Sequence, residues 1–568
     1  MIGIESTEMR EILEKCRRMV KTAEPESRTG WRSMPSFQDC IPQREVADKL
    51  VDVYLRTCES TYRILHIPSF KQGYAEYWND PASVKIPSVL AILLVMAVGT
   101  CFYQGEADDE LRSKARQWVQ AAESWMAAPL GKNQLTISSI QIYCLLFLAR
   151  QTSSVGVDFL WMPSGNLLRM AFSMGLHRDP KHFLKISLFA AEMRRRIWAT
   201  VLEMAVQTSM DVGMPPLIST RDFDTEPPSN IDDEDISQTT IVMPCPKSSH
   251  VYTQTSVQII LLKSLHTRLE IVHFINSFHS EPSYDEVLRF GQDITKACNG
   301  ASRLVHSFPA DCPRPSALQS ILLDIFIRRF LLEVHRPFLA RSHTDPRYYF
   351  SRKVCLETAL VLLFHSAAKD LPPDHESHIV DDYEQLKRAG GGLFKPVIFY
   401  ATTIVTVELI LQLEEDIISG LPPSVQTKAS REPLYRAVDD MDKLMLERFR
   451  RGDEYARGPM FFNAAAAKIH AMTNGIPPEQ VVPEAAKRSA RECLEILTAK
   501  VNLGARHSGE ESQPEGHGSG GSGSIGEQDF DFDFDLLMAD GNMDFGMTGE
   551  DYGVDIPDSW LFTGWDAN

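Results

Sequence analysis

Between Gly165 and Ile236 apolar residues recur at helical spacing twice, each run is followed by glycine and proline, and the stretch closes in a run of carboxylates. Leu167, Leu168, Met170, Ala171, Met174 and Leu176 fall three and four residues apart, the pattern of one buried helical stripe. Gly175 at its end and Pro180 beyond it predict a stop, so the chain turns between His177 and Pro180. Ile197, Trp198, Val201, Leu202 and Ala205 predict a second buried stripe, with Glu192, Arg195 and Arg196 on the other sides of that helix, where charge stays hydrated. Gly213, Pro215 and Pro216 end it. Spacing alone therefore predicts two packed helices with a charged cuff and an acidic loop, and no chemistry.

The remainder reads as more of the same class, all-α. Val46, Leu50, Val53 and Tyr54 predict a helix that breaks before Pro68, and residues 111 to 150 predict two more, with Trp118 and Trp125 as packing residues. His66 reads as a capping or core histidine, since no second ligand stands at helical spacing from it. Gln238 to Ser249 reads as a linker, and helices resume near Val257. Segments 322 to 341, 351 to 363 and 391 to 416 predict later helices, the first of them ended or kinked at Pro337. The longest apolar run, Val89 to Thr100, is shorter than the roughly 18 residues of a membrane span and reads as a core helix, so no membrane partner is expected. The first sixteen residues alternate acids with apolar residues and lack the order of a signal peptide, which predicts an intracellular protein.

Charge is spread unevenly. The chain carries a net −18, of which residues 525 to 568 hold −12 and the other 524 residues only −6. That leaves no basic face for a nucleic-acid backbone. The helix predicted for Met9 to Thr22 has Lys15, Arg17, Arg18 and Lys21, but Glu5, Glu8, Glu11 and Glu14 precede them. After Ser508 comes a Gly/Ser linker, and then Phe530, Phe532 and Phe534 alternate with aspartates, followed by Leu536, Leu537, Trp560, Phe562 and Trp565. Acids keep these aromatics solvated, so they are free to enter a hydrophobic groove on a coactivator. Eight aromatics among 44 residues exceed what a merely solubilising tail requires, and the tail is expected to activate; docking of the tail on the helical domain is a further option.

GLHRDP (Gly175, Leu176, His177, Arg178, Asp179, Pro180), AEMRRRIWAT (with Glu192, Arg194, Arg195, Arg196 and Trp198), GMPPLIS (with Pro215), DFDTEPP (with Asp222 and Asp224) and NIDDED follow one another in an order that resembles the signature of the fungal-specific transcription factor domain. RILHIPSF, HRPFLAR and SRKVCLETALVLL resemble other parts of the same domain, so the resemblance spans about residues 44 to 500. It implies an all-helical regulatory region, the middle homology region, of a nuclear regulator of RNA polymerase II genes. Such regulators frequently serve metabolic or secondary-metabolite gene clusters. It allows a small-molecule effector and a homodimer. Arg194, Arg195 and Arg196 are expected to meet carboxylates such as Asp222 or Asp224.

Members of that family usually carry a six-cysteine zinc cluster upstream. Ten cysteines are present here, and none lies closer to another than Cys298 does to Cys312, so no zinc ligand set and no cofactor are expected. DNA is then reached only through a missing or lost N-terminal module or a partner protein; a coregulator that does not bind DNA is the alternative. The expected organisation is an N-terminal helix and linker over 1–43, a regulatory domain over 44–505 built of two subdomains, a Gly/Ser-rich linker over 506–526 and an activation tail over 527–568.

Three enzyme-like patterns compete with this reading. His177, Arg178, Asp179 and Lys181 with Asp222, Phe223 and Asp224 mimic kinase motifs, but helices flank them and no Gly-rich phosphate loop precedes them. Asp232, Asp233, Glu234 and Asp235 suggest an isoprenoid-type synthase holding magnesium diphosphate, yet they follow Pro227 and Pro228 in a loop without a second metal motif. Asp374, His375, Glu376 and His378 could gather a metal but read as a solvated loop after two prolines. No catalytic and no metal residue is therefore assigned, and the chain is not expected to be an enzyme.

Overall fold

The computed structural model describes Ile12, Lys15 and residues 40 to 508, apart from 106–107, 128–134, 156–159, 278–282, 310, 343, 366–381, 421 and 453–455. The helix expected over Met9–Thr22 (except Ile12 and Lys15), the loop with Asp374 to His378 and the whole acidic tail with Phe530 to Trp565 lie outside the described residues. Among the described residues the secondary structure is helical and contains no strand, as the all-α reading expects. The chain forms two compact units, one of Ser33–Val405 and one of Met1–Arg32 with Thr406–Asn568.

The first unit contains α1 (Arg44–Arg56), α2 (Cys58–Tyr62), α3 (Ile67–Asn79), α4 (Ile86–Gly99), α5 (Asp108–Met126), α6 (Ile137–Thr152), α7 (Trp161–Ser173), α8 (Leu188–Asp211), α9 (Ser256–Ile275), α10 (Tyr284–Ser307), α11 (Ala317–Arg341), α12 (Tyr349–Leu363) and α13 (Asp382–Ala389). From Val89 on α4 is apolar on every side and buried, as such a helix must be, against α1, α5 and α6. Its last residue, Gly99, lets α1 come close: a Cβ there would stand 2.4 Å from the carbonyl oxygen of Leu50. The second central helix is α8, which packs on α6, α7 and α9. α9 and α10 in turn meet α11, and α11 meets α12.

Local sequence sets the ends of these helices. Gly175 follows α7 at φ 70°, with its N–H bonded to Phe172 O and the N–H of Leu176 bonded to Ala171 O; Gly213 ends α8 in the same way through Met210 O and Ser209 O. This pair of bonds satisfies terminal carbonyls and needs a residue at ease with positive φ. At the other ends, the side chains of Thr136, Ser187 and Ser316 accept from backbone N–H groups in the first turns of α6, α8 and α11. Pro337 does not end α11, which runs on to Arg341; the proline falls in the last turns, where few intrahelical bonds remain to be lost.

α14 (Lys395–Ser419), long and apolar enough in composition to cross a membrane, has 72% of its apolar window buried within the protein, as a core helix does. In the second unit α15 (Val425–Arg450), α16 (Arg457–Thr473) and α17 (Pro478–Ser508) enclose clusters of Met460, Ala464, Val482 and Ala486 and of Phe449, Cys493 and Leu497, with Ile12 packed against both. Arg431 ties α15 back through Asp416 and Gln412.

Gly99→Ala would press a methyl group onto the Leu50 backbone, which has no side-chain freedom to yield. A loss of about 2 kcal/mol is expected in denaturant unfolding, in line with overpacked cores.

Candidate functional site

The densest polar structure of the first unit is buried around α8. Asp233, in the acidic loop, is 0% exposed and lies between Arg63 and Arg196, each also 0% exposed. One oxygen, Oδ1, accepts from both guanidinium groups. The other accepts from Ile67 N–H at 2.7 Å. Its backbone is held as firmly: Asp233 N–H donates to Gln254 Oε1 at 2.8 Å, and His66 Nε2 meets the Asp233 carbonyl at 2.9 Å. Burial would raise the Asp233 carboxyl, but Arg63 and Arg196 outweigh it and hold it below the usual carboxylate range.

Around this centre stand two more acids. Glu192 accepts from Arg196 Nε at 3.1 Å and from Ser229 N–H at 3.1 Å. Glu59 accepts from Tyr54 OH at 2.8 Å and Leu65 N–H at 2.9 Å. Burial pushes the Glu59 carboxyl up to about 7, with Arg63, Tyr54 and Leu65 offsetting only part of that cost. Arg63 itself sits at φ 54°, a conformation disfavoured for a residue with a Cβ, at the end of α2. The short turn from Arg63 to His66 thus bends sharply and delivers both a guanidinium and an imidazole to Asp233. His66 is the buried cap that its sequence context suggests: Nδ1 accepts from Ser69 N–H at the start of α3.

A second group forms at the turn after α7. Asp179, fully buried, accepts from Arg195 Nε at 3.0 Å and Nη2 at 2.9 Å, and from the N–H groups of Lys181 and Glu226. Burial alone would raise its carboxyl; the Arg195 bonds and the two backbone donors prevail and bring it to about 2. Residues 222 to 226 lie along this turn: Asp224 N–H donates to His177 O, Asp179 N–H to Asp224 Oδ1, and Thr225 Oγ1 to Leu176 O. Phe223 packs edge-on against Trp198, which also meets Phe172. Arg178 and His182 reach Asp224 at the surface, and Pro215 stands exposed after α8.

The three arginines therefore part company, and none pairs with Asp222 or Asp224 as expected. Arg194 caps α7 through the carbonyls of Met174 and Gly175, at 2.8 and 2.7 Å. Arg195 takes Asp179, and Arg196 takes Asp233 and Glu192. Asp222 instead caps its own turn by accepting from Ser219 N–H. Nor do Glu192 and Arg196 face water: they are 1% and 0% exposed, because a partner loop covers that side of α8 and supplies matching charge. Glu203, Gln207 and Asp211 continue the buried polar stripe of α8. Arg268 of α9 grips Glu203 through two nitrogens, at 2.6 and 2.8 Å, and Arg329 of α11 donates to Gln207 and Asp211. Periodicity misses these residues because they interrupt an apolar helix singly; their four-residue spacing is the one signal that could have marked them.

These acids are occupied by donors of the chain itself. Asp232 and Asp235 both meet Lys247, Asp232 also accepts from Gln254 N–H, and no group of three or more His, Cys, Asp or Glu able to hold a metal occurs among the described residues. A magnesium-diphosphate site at this loop would have to strip Arg63, Arg196 and Lys247 from it, so the synthase reading fails. The geometry fixes a loop and two turns to a central helix, with Asp179, Glu192 and Asp233 each held by donors of the chain.

The profile of the fungal specific transcription factor domain matches residues 51–302, which contain the whole network around Asp233 and Asp179. The chain is 34% identical to the transcription factor opdR of Penicillium oxalicum over 90% of its own length and 67% of that protein. It is 33% identical to the transcription factor lepE of Aspergillus flavus over 89% of itself and 61% of the relative. With the aspyridones cluster regulator apdR of Emericella nidulans it shares 29% identity over 74% of itself and 57% of the relative. It thus spans between 57% and 67% of the length of these relatives. No solved structure matches.

Two measurements test the network. Asp233→Ala leaves two buried guanidinium groups without their shared carboxylate and should cost about 3 to 5 kcal/mol in urea unfolding; a loss near that of an exposed charge would show the cluster to be solvated instead. Asp179, held near 2 in the folded chain against an ordinary value near 3.9, stabilises the fold above about pH 4, and that contribution disappears as the pH falls from about 4 to 2. Asp179→Asn should therefore be less stable than the parent by about 2 to 3 kcal/mol at neutral pH, and the gap should close across that acid window.

Proposed function

We propose that this chain, which belongs to the fungal specific transcription factor domain family, is the regulatory and effector portion of a regulator of RNA polymerase II genes, serving a secondary-metabolite gene cluster. The family and the relatives above are transcription factors and cluster regulators, not enzymes. The observation that carries the reading is the coincidence of the family profile with the ion-paired helical unit, whose acids bind the chain's own basic groups rather than a substrate.

In this reading residues 44–505 form the regulatory domain, 506–526 a linker and 527–568 an activation tail, while 1–43 lead into the domain. The tail recruits coactivators through Phe530, Phe532, Phe534, Leu536, Leu537, Trp560, Phe562 and Trp565, whose interleaved acids keep them in water until a groove accepts them. The signature residues from Gly175 to Asp224 act as scaffold. DNA is reached through a further segment or a partner protein, in the nucleus, and a small-molecule effector or a second copy of the chain sets activity through the helical domain.

Residues 525–568 fused to a foreign DNA-binding domain should activate a reporter gene, and changing Phe530, Phe532, Phe534, Trp560, Phe562 and Trp565 together to alanine should abolish that activity at equal protein level. A silent parent tail would remove the activator assignment and leave the helical domain as a corepressor or sensor.

A further inference from the structure

Beside α8, at Ala199, Thr200 and Glu203, lies a cavity of about 10 Å³ that Thr61, Tyr62 and Gln258 also line. That is far too small for a metabolite and close to the space one water molecule needs. The orientation of Gln258 is fixed by its amide nitrogen, which lies 2.9 Å from Tyr62 O, 3.0 Å from Arg196 O and 3.0 Å from Thr200 Oγ1. Exchanging the amide oxygen and nitrogen would set oxygen against two carbonyls. Gln258 lines the cavity, and its Oε1 meets no donor among the described residues. Thr61 also lines the cavity, and its Oγ1 likewise meets no partner among the described residues. Both side chains are deeply buried, at 4% and 1% exposure. A carbonyl and a hydroxyl without partners in a dry interior each leave a desolvation cost uncompensated, whereas a water molecule with two to four polar neighbours removes it.

We propose that this cavity is a site for one ordered water, which donates to Gln258 Oε1, accepts from the Thr61 hydroxyl and directs its second proton to the Glu203 carboxylate. Glu203 Oε1 already accepts from Gln207 and Arg268 Nη1, whereas Oε2 accepts from Arg268 Nη2 and keeps capacity for one more donor. The water completes a hydrogen-bonded line along α8. It runs from Glu192 and Arg196 through the Arg196 carbonyl and Gln258 to the water, and on through Glu203 and Gln207 to Arg329 and Asp211.

A crystal structure of the full chain, at a resolution where other buried waters are visible, should show one peak within hydrogen-bonding distance of both Gln258 Oε1 and Thr61 Oγ1. In Ala199→Val, which fills the same space with methyl groups, the peak should be lost while the helices stay in place. No peak in the parent map, or a Gln258 side chain turned so that Oε1 meets a donor of the chain, would overturn the assignment. If the valine variant does not fold, the parent map alone decides.

Discussion

The carboxylate of Asp233, shared by Arg63 and Arg196 away from the protein surface, is the interaction on which the rest of the first unit depends. Three ions in a low-dielectric interior are tolerable only when each is closely complemented, because the desolvation of any one of them is as large as the attraction that holds it. The three come from parts of the chain far apart in sequence: a turn before α3, the middle of α8 and a loop after it. Forming the cluster therefore fixes where the loop lies, how α8 is rotated and how the chain bends at Arg63. The positive φ of Arg63 persists because the surrounding contacts determine it more strongly than its own preference does.

The same logic runs through the Asp179 turn. Four donors converge on one buried carboxylate, two from Arg195 and two from the backbone. The sequence blocks that carry the family resemblance are the blocks that touch one another here: GLHRDP meets AEMRRRIWAT through Asp179 and Arg195, and meets DFDTEPP through Asp224 and Thr225. The signature is thus a set of mutual partners. That accounts for the absence of any catalytic arrangement among residues that superficially resemble kinase motifs.

Much of the architecture was legible from periodicity, since apolar stripes at three and four and glycine after each run report directly on burial and on helix ends. Both predicted helices around the signature appear, with Gly175 and Gly213 as their stops. The partners of the charges were not legible. Arg196 and Glu192 read as hydrated because the side of α8 opposite an apolar stripe usually meets solvent, and nothing local tells that a loop returns some forty residues later to cover it. Arg63, Glu59, Glu203 and Arg268 went unnoticed for the same reason: a lone charge within an apolar run carries no record of its distant counter-ion. The partners of Asp179 were no more legible: Arg195 is sixteen residues away and Glu226 forty-seven, and which arginine takes which acid depends on helical angle rather than on distance along the chain.

α8 carries Glu192, Arg196, Thr200, Glu203, Gln207 and Asp211 down one side, and each meets a specific counterpart on another part of the chain, Glu192 through the Ser229 N–H. An aliphatic helix can slide or rotate by small steps, exchanging one greasy contact for another of nearly equal worth. A helix toothed in this way cannot. Shifting it by one turn would carry Arg196 away from Asp233 and set Glu203 where its guanidinium no longer waits, all at once. α8 therefore behaves as a key in a lock with discrete positions: it resists gradual deformation, and under mechanical load it yields in a single step or not at all.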